Sequence, residues 1–231
     1  MLKRTKLLIS LALVITAPHS FAKSTTPSEY TGMLSGAKYQ LCFTPSQTAM
    51  QCIEMLTNAI AKAKDNIIVQ AYSFTSAPIV KALIDAHERG FKIIALVDKS
   101  NITSKYSVAG TLTNAKIPVY VDYKPAIAHN KVMIIDGKEV VTGSFNFTKS
   151  AQVRNTENLL IIDDAKLASQ YKANFNSRLA ESQSLPEYCE SSGKCKSWWD
   201  EVKSSSASVY EKTKQESTEA WRKVKDWWSS N

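Results

Sequence analysis

The chain has 231 residues, 44% hydrophobic and 22% charged, with a formal net charge of +8. The apolar share excludes a disordered polyelectrolyte, and the length allows one sizeable core with at most a small appendage. The basic excess suits a polyanionic partner without demanding one.

Residues 1–22, MLKRTKLLISLALVITAPHSFA, combine a basic start at Lys3, Arg4 and Lys6 with an apolar run and the small residues Ser20 and Ala22. This is the pattern of a signal peptide cut after Ala22, and the run is too short to span a bilayer. Cleavage takes the formal charge from +8 to +5 and predicts a periplasmic or secreted protein. Residues 23–36 form a polar lead without period, expected to be mobile.

From Ala37 onward strands and helices alternate. AKYQLCF reads as a strand, and residues 47–63 as an amphipathic helix with Ile53, Leu56 and Ile60 on one stripe. NIIVQAYSF is a buried strand, followed by a helix that begins at Ser76 and stops at Gly90. KIIALVD is the next strand, residues 100–115 a polar helix, and IPVYVDY a further strand. HNKVMIIDGKEVVTGSF gives two strands joined at Asp136-Gly137, a dipeptide suited to a type I′ turn. NLLIIDD is the last strand, before a helix over residues 165–182. Alternation with nearly all-apolar strands predicts an α/β fold: a mixed, largely parallel sheet flanked by helices on both faces.

Four cysteines, Cys42, Cys52, Cys189 and Cys195, remain after cleavage, an even number in a chain bound for an oxidising compartment. Three pairings are open. The local ones, Cys42 with Cys52 and Cys189 with Cys195, are favoured because each encloses a short polar or turn-like stretch. Zinc ribbons use closer C-x-x-C spacing, so a metal site is disfavoured. The catalytic domain is therefore expected over residues 37–195.

Beyond it, residues 196–231 contain no proline or glycine and repeat at eleven residues: Trp199, Tyr210, Trp221; Val202, Thr213, Val224. This predicts an amphipathic helix with an aromatic stripe over residues 198–228. Packing on its own domain or another subunit is its commoner use, and contact with a membrane surface or a protein the sharper one. Seven basic against six acidic residues in this tail weaken attraction to anionic lipid.

The segment AIAHNKVMIIDGKEVVTGSFNFTKS carries the chemistry. His129 is followed by Lys131, Asp136, Gly143, Ser144 and Asn146. Residues two apart on a strand share a face, which predicts an imidazole and an ammonium side by side, with Ser144 and Asn146 returning to the same end of the sheet. A cation, an amide and an imidazole converging on one point suit a tetrahedral oxyanion such as phosphate. Asp136, at the turn, is expected to act structurally. His87 reads as a partly exposed helix-edge residue.

HNKVMIIDGKEVVTGSFN resembles the H-x-K-x₄-D motif, followed by G-S-x-N, of the phospholipase D superfamily. The flanking YSFTS, PIVKALIDAHERG and FNFTKSAQVRNTEN are similar to its small bacterial endonucleases with one motif per chain, and the resemblance covers residues 37–178. It implies His129 as nucleophile through a phosphohistidine intermediate, and Lys131 and Asn146 on the nonbridging oxygens with Ser144 assisting. It further implies Glu157 as acceptor from the imidazole, no metal or cofactor, and a homodimer whose shared site supplies a second histidine. The implied activity is metal-independent cleavage of nucleic acid, DNA or RNA, by an exported enzyme. A phospholipase D acting on membrane phospholipids and a secreted binding protein working through its tail are the alternatives.

Overall fold

The computed structural model describes residues 29–34, 36–45, 51–103 and 107–195. The expected signal peptide and the aromatic tail lie outside the described residues. The strands are β1 (Glu29–Leu34), β2 (Ala37–Thr44), β3 (Asn66–Ala71), β4 (Lys92–Asp98), β5 (Val119–Asp122), β6 (Lys131–Ile135), β7 (Glu139–Gly143), β8 (Glu157–Asp163) and β9 (Gln183–Ser184). The helices are α1 (Gln51–Lys62), α2 (Ala77–Glu88), α3 (Lys99–Thr103), α4 (Ala109–Asn114), α5 (Lys149–Val153), α6 (Ala165–Ala180) and α7 (Leu185–Ser192).

The strands form one sheet in the order β1-β2-β8-β7-β6-β3-β4-β5-β9. It is mixed, as expected, but parallel pairing is confined to β3 with β4 and β4 with β5. The alternation of strands and helices overstates the parallel share for a physical reason. A helix that crosses the sheet returns the next strand parallel, as α2 does between β3 and β4, whereas β6 and β7 are joined by a tight turn and pair antiparallel. Order also begins earlier than expected. Part of the polar lead is β1, which pairs antiparallel with β2 from Glu29 opposite Cys42 to Leu34 opposite Ala37.

Each sheet face has its own core. On one, Ile67, Val69 and Ala71 of β3, Ile93, Ala95 and Val97 of β4, and Met133 and Ile135 of β6 pack with Leu56, Ile60, Ile79 and Leu83 from α1 and α2. On the other, Ile68, Ile94, Leu96, Val132, Ile134 and Val140 pack with Ala168, Phe175 and Leu179 of α6. Burial on both sides explains why these strands are apolar throughout instead of alternating. Both expected disulfides are present, Cys42–Cys52 joining β2 to α1 and Cys189–Cys195 closing the end of α7.

The pairing directions give the sheet two distinct ends. The C-terminal ends of β2, β3, β4, β5 and β7 and the N-terminal ends of β6 and β8 lie together at one of them. The segments there, residues 72–76, 99–103, 107–108, 123–130, 144–156 and 181–182, contain Lys99, Lys124, Lys149 and Arg154 and, among the described residues, one acidic side chain, Glu181, 4.0 Å from Lys124. The opposite end holds the β6–β7 turn. There Asp136 (φ +54°) and Gly137 (φ +62°) are both left-handed, as a type I′ turn requires, and Lys138 N donates to Ile135 O at 3.0 Å.

Candidate active site

His129 stands in the connection between β5 and β6, not on the strand itself, and is exposed. The shared-face account of its spacing from Lys131 is therefore replaced by another. Lys131 is the first residue of β6, opposite Ala71 of β3, and only 5% exposed. Its side chain turns back along the chain, so that Nζ donates to the His129 carbonyl at 2.8 Å and lies 3.0 Å from His129 Nδ1.

Tyr72, just past the end of β3, completes this group. Its ring centroid is 4.5 Å from that of His129, and Lys131 Nζ lies 5.0 Å from the Tyr72 ring centre. Its own N–H donates to Asn130 O at 2.7 Å, fixing the residue between His129 and Lys131. Burial pushes the Lys131 ammonium below its ordinary range, and the negative charge of Glu157 partly offsets this.

Glu157 opens β8 opposite Thr44. Thr44 Oγ1 accepts from Glu157 N at 3.0 Å and donates to Asn155 O at 2.9 Å, while Asn155 Nδ2 donates to the Glu157 carboxylate at 2.9 Å. The carboxylate is thus held by Asn155, its charge acts on Lys131, and the Nδ1 position of His129 is taken by the lysine.

Gly143, Ser144 and Asn146 return to the same end, as the sequence predicts. Gly143 has φ +137°, and a Cβ there would lie 2.3 Å from Asn158 O, so only glycine lets β7 approach β8 this closely. Ser144 Oγ accepts from Asn158 N at 3.1 Å, which ties this hydroxyl to β8. Asn146 is set by its neighbours, since Phe145 and Phe147 are both wholly buried. Its Oδ1 is buried with no hydrogen-bond partner, a polar group held ready for a ligand proton.

Asp136 is at the far end. Its carboxylate accepts from the backbone N–H groups of Lys64, Asp65 and Asn66 at 2.9 to 3.2 Å, which locks the β6–β7 turn onto the start of β3. His87, in the last turn of α2, is also at that end, its Nδ1 3.1 Å from Phe91 O. Among the described residues no group of three or more His, Cys, Asp or Glu is placed to hold a metal ion.

Sequence reasoning passed over Tyr72, Asp98, Lys99 and Asn101. Asp98 accepts from Ala128 N at 2.7 Å, Lys99 Nζ donates to Tyr123 O and Pro125 O at 3.1 and 2.7 Å, and Asn101 accepts from Phe74 N at 3.0 Å. The signal was a charged pair directly after the apolar run KIIALV, at the carboxyl end of a central strand where α/β proteins place their sites.

The group as it stands can present an exposed imidazole to an electrophile while a buried cation receives an oxygen around it and the unsatisfied Asn146 Oδ1 accepts a proton donor. The family model described as "Cardiolipin synthase, PLD-like domain" matches residues 56–179, which span every site residue. A protein of Rickettsia conorii named phospholipase D is 48% identical over 147 residues, 64% of this chain and 72% of that one. The crystal structure of a phospholipase D family member, Nuc from Salmonella typhimurium, has a TM-score of 0.61 at 34% identity, covering 64% of this chain and 98% of that one. NucT from Helicobacter pylori gives 0.58 at 28%, covering 64% and 99%. The chain belongs to the phospholipase D superfamily and is a phosphodiesterase of that family.

Proposed function

We propose that this is an exported endonuclease that cleaves nucleic-acid phosphodiesters through a phosphohistidine at His129. The observation that carries the reading is the placement of Lys131 Nζ 3.0 Å from Nδ1 of an exposed imidazole, which leaves Nε2 as the ring atom open to a phosphorus. As a phosphate enters, its nonbridging oxygens draw the Lys131 ammonium from Nδ1 and take the Asn146 amide, with Ser144 beside them. The ring proton then exchanges through solvent from Nε2 to Nδ1, where the N–H donates a hydrogen bond to Glu157, and Nε2 is left with a lone pair to donate. The Nε2–P bond forms as the bond to the leaving oxygen breaks, and that oxygen takes a proton from an acid. Water then attacks phosphorus, the Nε2–P bond breaks, and the water's proton returns to the same group.

Among the described residues His87 is not placed to be that acid: α2 begins at the His129 end and His87 is ten residues beyond its start, about 15 Å along at the α-helical rise. A two-fold homodimer in which the His129 of a second subunit supplies the proton balances the reaction. Polyanion binding is supported by Lys149 and Arg154 at an end whose loops carry one acidic residue, Glu181, beside Lys124, and export by the two disulfides and the expected leader. A second reading, a phospholipid headgroup at the same site, is favoured by the name of the Rickettsia relatives and by Ile127, 57% exposed two residues before His129.

The test incubates the purified mature chain with labelled DNA, RNA and phosphatidylcholine vesicles in EDTA, and traps the adduct by alkaline denaturation. Nucleic acid should be cut, with phosphate on His129 and none in folded His129→Ala. Turnover of vesicles alone would establish the lipid reading, and cleavage at the wild-type rate by His129→Ala would remove the nucleophile. Exchange of wild-type subunits with excess His129→Ala subunits should lower activity per wild-type chain. Strict proportionality after verified exchange would remove the shared site.

A further inference from the structure

We infer that Asp98, Lys99 and Asn101 act together as a positioning bracket that sets His129 against Tyr72. None touches the reacting atoms, and the inference rests on His129 being the nucleophile. Asp98, the last residue of β4, is 2% exposed. Its Oδ2 accepts from Ala128 N, the residue before His129, at 2.7 Å, and its Oδ1 from Ser100 N at 2.8 Å. Lys99 Nζ donates to the carbonyls of Tyr123 and Pro125, earlier in the same connection. Asn101, 4% exposed, turns to the other side: its Oδ1 accepts from Phe74 N and its Nδ2 donates to Tyr72 O. One tetrapeptide therefore grips both backbone segments that deliver the two rings.

Comparison with the neighbouring strand shows that this is not the ordinary use of a carboxylate at that level. Asp122 ends β5 at the same height and is also 2% exposed, yet it takes both its bonds from Arg178, at 2.6 and 3.0 Å. That pair joins the sheet to α6 and touches no loop of the site. Asp98 has no side-chain cation among its described hydrogen bonds, and its two acceptor oxygens are given to backbone amides. Burying a carboxylate is costly unless its bonds are fully made, so the connection is held to the position that makes them. Displacement by about 1 Å is enough to cost about 100-fold in rate where a nucleophile must meet phosphorus in line.

The experiment compares wild type, Asp98→Asn, Lys99→Met and His129→Ala on bis(p-nitrophenyl) phosphate, a diester with neither base nor lipid. It also records the imidazole ¹H–¹³C spectrum of each, in which a mature chain lacking His19 shows His87 and His129 alone. Asp98→Asn should lower kcat about 100-fold and leave KM within about threefold, because Lys131 and Asn146 still hold the phosphate. The His129 signal should move as the Tyr72 ring shifts over it, while that of His87, at the far end, stays in place. Lys99→Met should do the same to a smaller extent, about tenfold in kcat. An unmoved His129 signal with kcat within about twofold of wild type, in either folded variant, overturns the bracket. If Asp98→Asn does not fold, Lys99→Met decides by the same two readouts. Activity retained by His129→Ala would overturn the nucleophile instead, and the spectra, which need no turnover, would still read the bracket.

Discussion

The segment from His129 to Asn146 runs down the sheet on β6 and back on β7, so one hairpin has an end at each edge of the molecule, and the two ends treat polar groups differently. At the turn end Asp136 has its carboxylate filled by three backbone N–H groups, and Lys138 pairs with Asp163 at 3.0 Å. At the other end a lysine is buried against an imidazole, and the oxygens of Asn146 and Ser76 are buried without partners, against one such oxygen, that of Asn66, beside the turn. Closed bonds stabilise a fold, and open ones cost stability unless something arrives to fill them. The H-x-K-x₄-D pattern thus joins two unlike halves: His and Lys lie at the end with open bonds, Asp at the hinge of the hairpin that carries them.

The comparison is broken most severely at Lys131. Lys131→Met should lower kcat/KM by about 10²- to 10³-fold, the usual cost of one oxyanion donor, without lowering the thermal midpoint. The sign follows from the lowered affinity of the native lysine for its proton relative to the ordinary value of 10.5. The unfolded chain binds that proton more tightly, so wild-type stability rises with pH through the interval just below 10.5. The Met variant should lack this rise, and thermal melts across alkaline pH would show it. A midpoint several degrees lower in the variant would mean that the site end is built for stability after all.

Asp136→Ala should do the reverse. Urea titration should show a loss of about 2 kcal/mol, since three backbone donors lose a charged acceptor, while kcat at a temperature where the variant is folded stays at the wild-type level. A fall in kcat beyond about tenfold, in protein shown to be native, would make the turn part of the catalytic apparatus.

The smallest effect belongs to Glu139, beside the turn. Burial, then the neighbouring charge of Asp163, raises its carboxyl above the ordinary 4.5. The folded state holds that proton more tightly than the unfolded one, so a destabilising contribution is complete above the native pKa, fades as pH falls through it and is gone below 4.5. Glu139→Gln should therefore be slightly more stable than wild type at neutral pH, with the two melting curves merging in acid.

Much of this was legible in the sequence because the deciding forces are local. Asp136-Gly137 announces its turn through the left-handed conformation that both residues tolerate, the apolar runs of β3 and β4 announce burial on two faces, and Cys42 and Cys189 each find the next cysteine along the chain. Helix α2 was also found, with Ser76 at its N-cap and Gly90 (φ +95°) past its end, although the Ser76 hydroxyl makes no capping bond. The losses are all tertiary. Strand pairing depends on which distant segment lies alongside, so the antiparallel share was understated, and the polar residues of β1 gave no sign that β2 would accept them. Residues 100–115, read as one helix, contain the end of α3 and the whole of α4. His129 was found for its type and misplaced in its setting, since two-residue spacing implies a strand only where both residues are on one.

The position of β8 governs when this enzyme comes into being. It lies between β2 and β7, and its first residue, Glu157, bonds Thr44 across a sequence separation of 113. A nascent chain can close its β6–β7 turn as soon as those residues emerge, but it cannot join β2 to β7 until residue 163 has been made and has found a slot between two strands already waiting. Contacts this remote form slowly. β8 is also the strand that brings Glu157 and ties Ser144, so a chain made only as far as β7 holds His129 and Lys131 without the strand that completes the end they share.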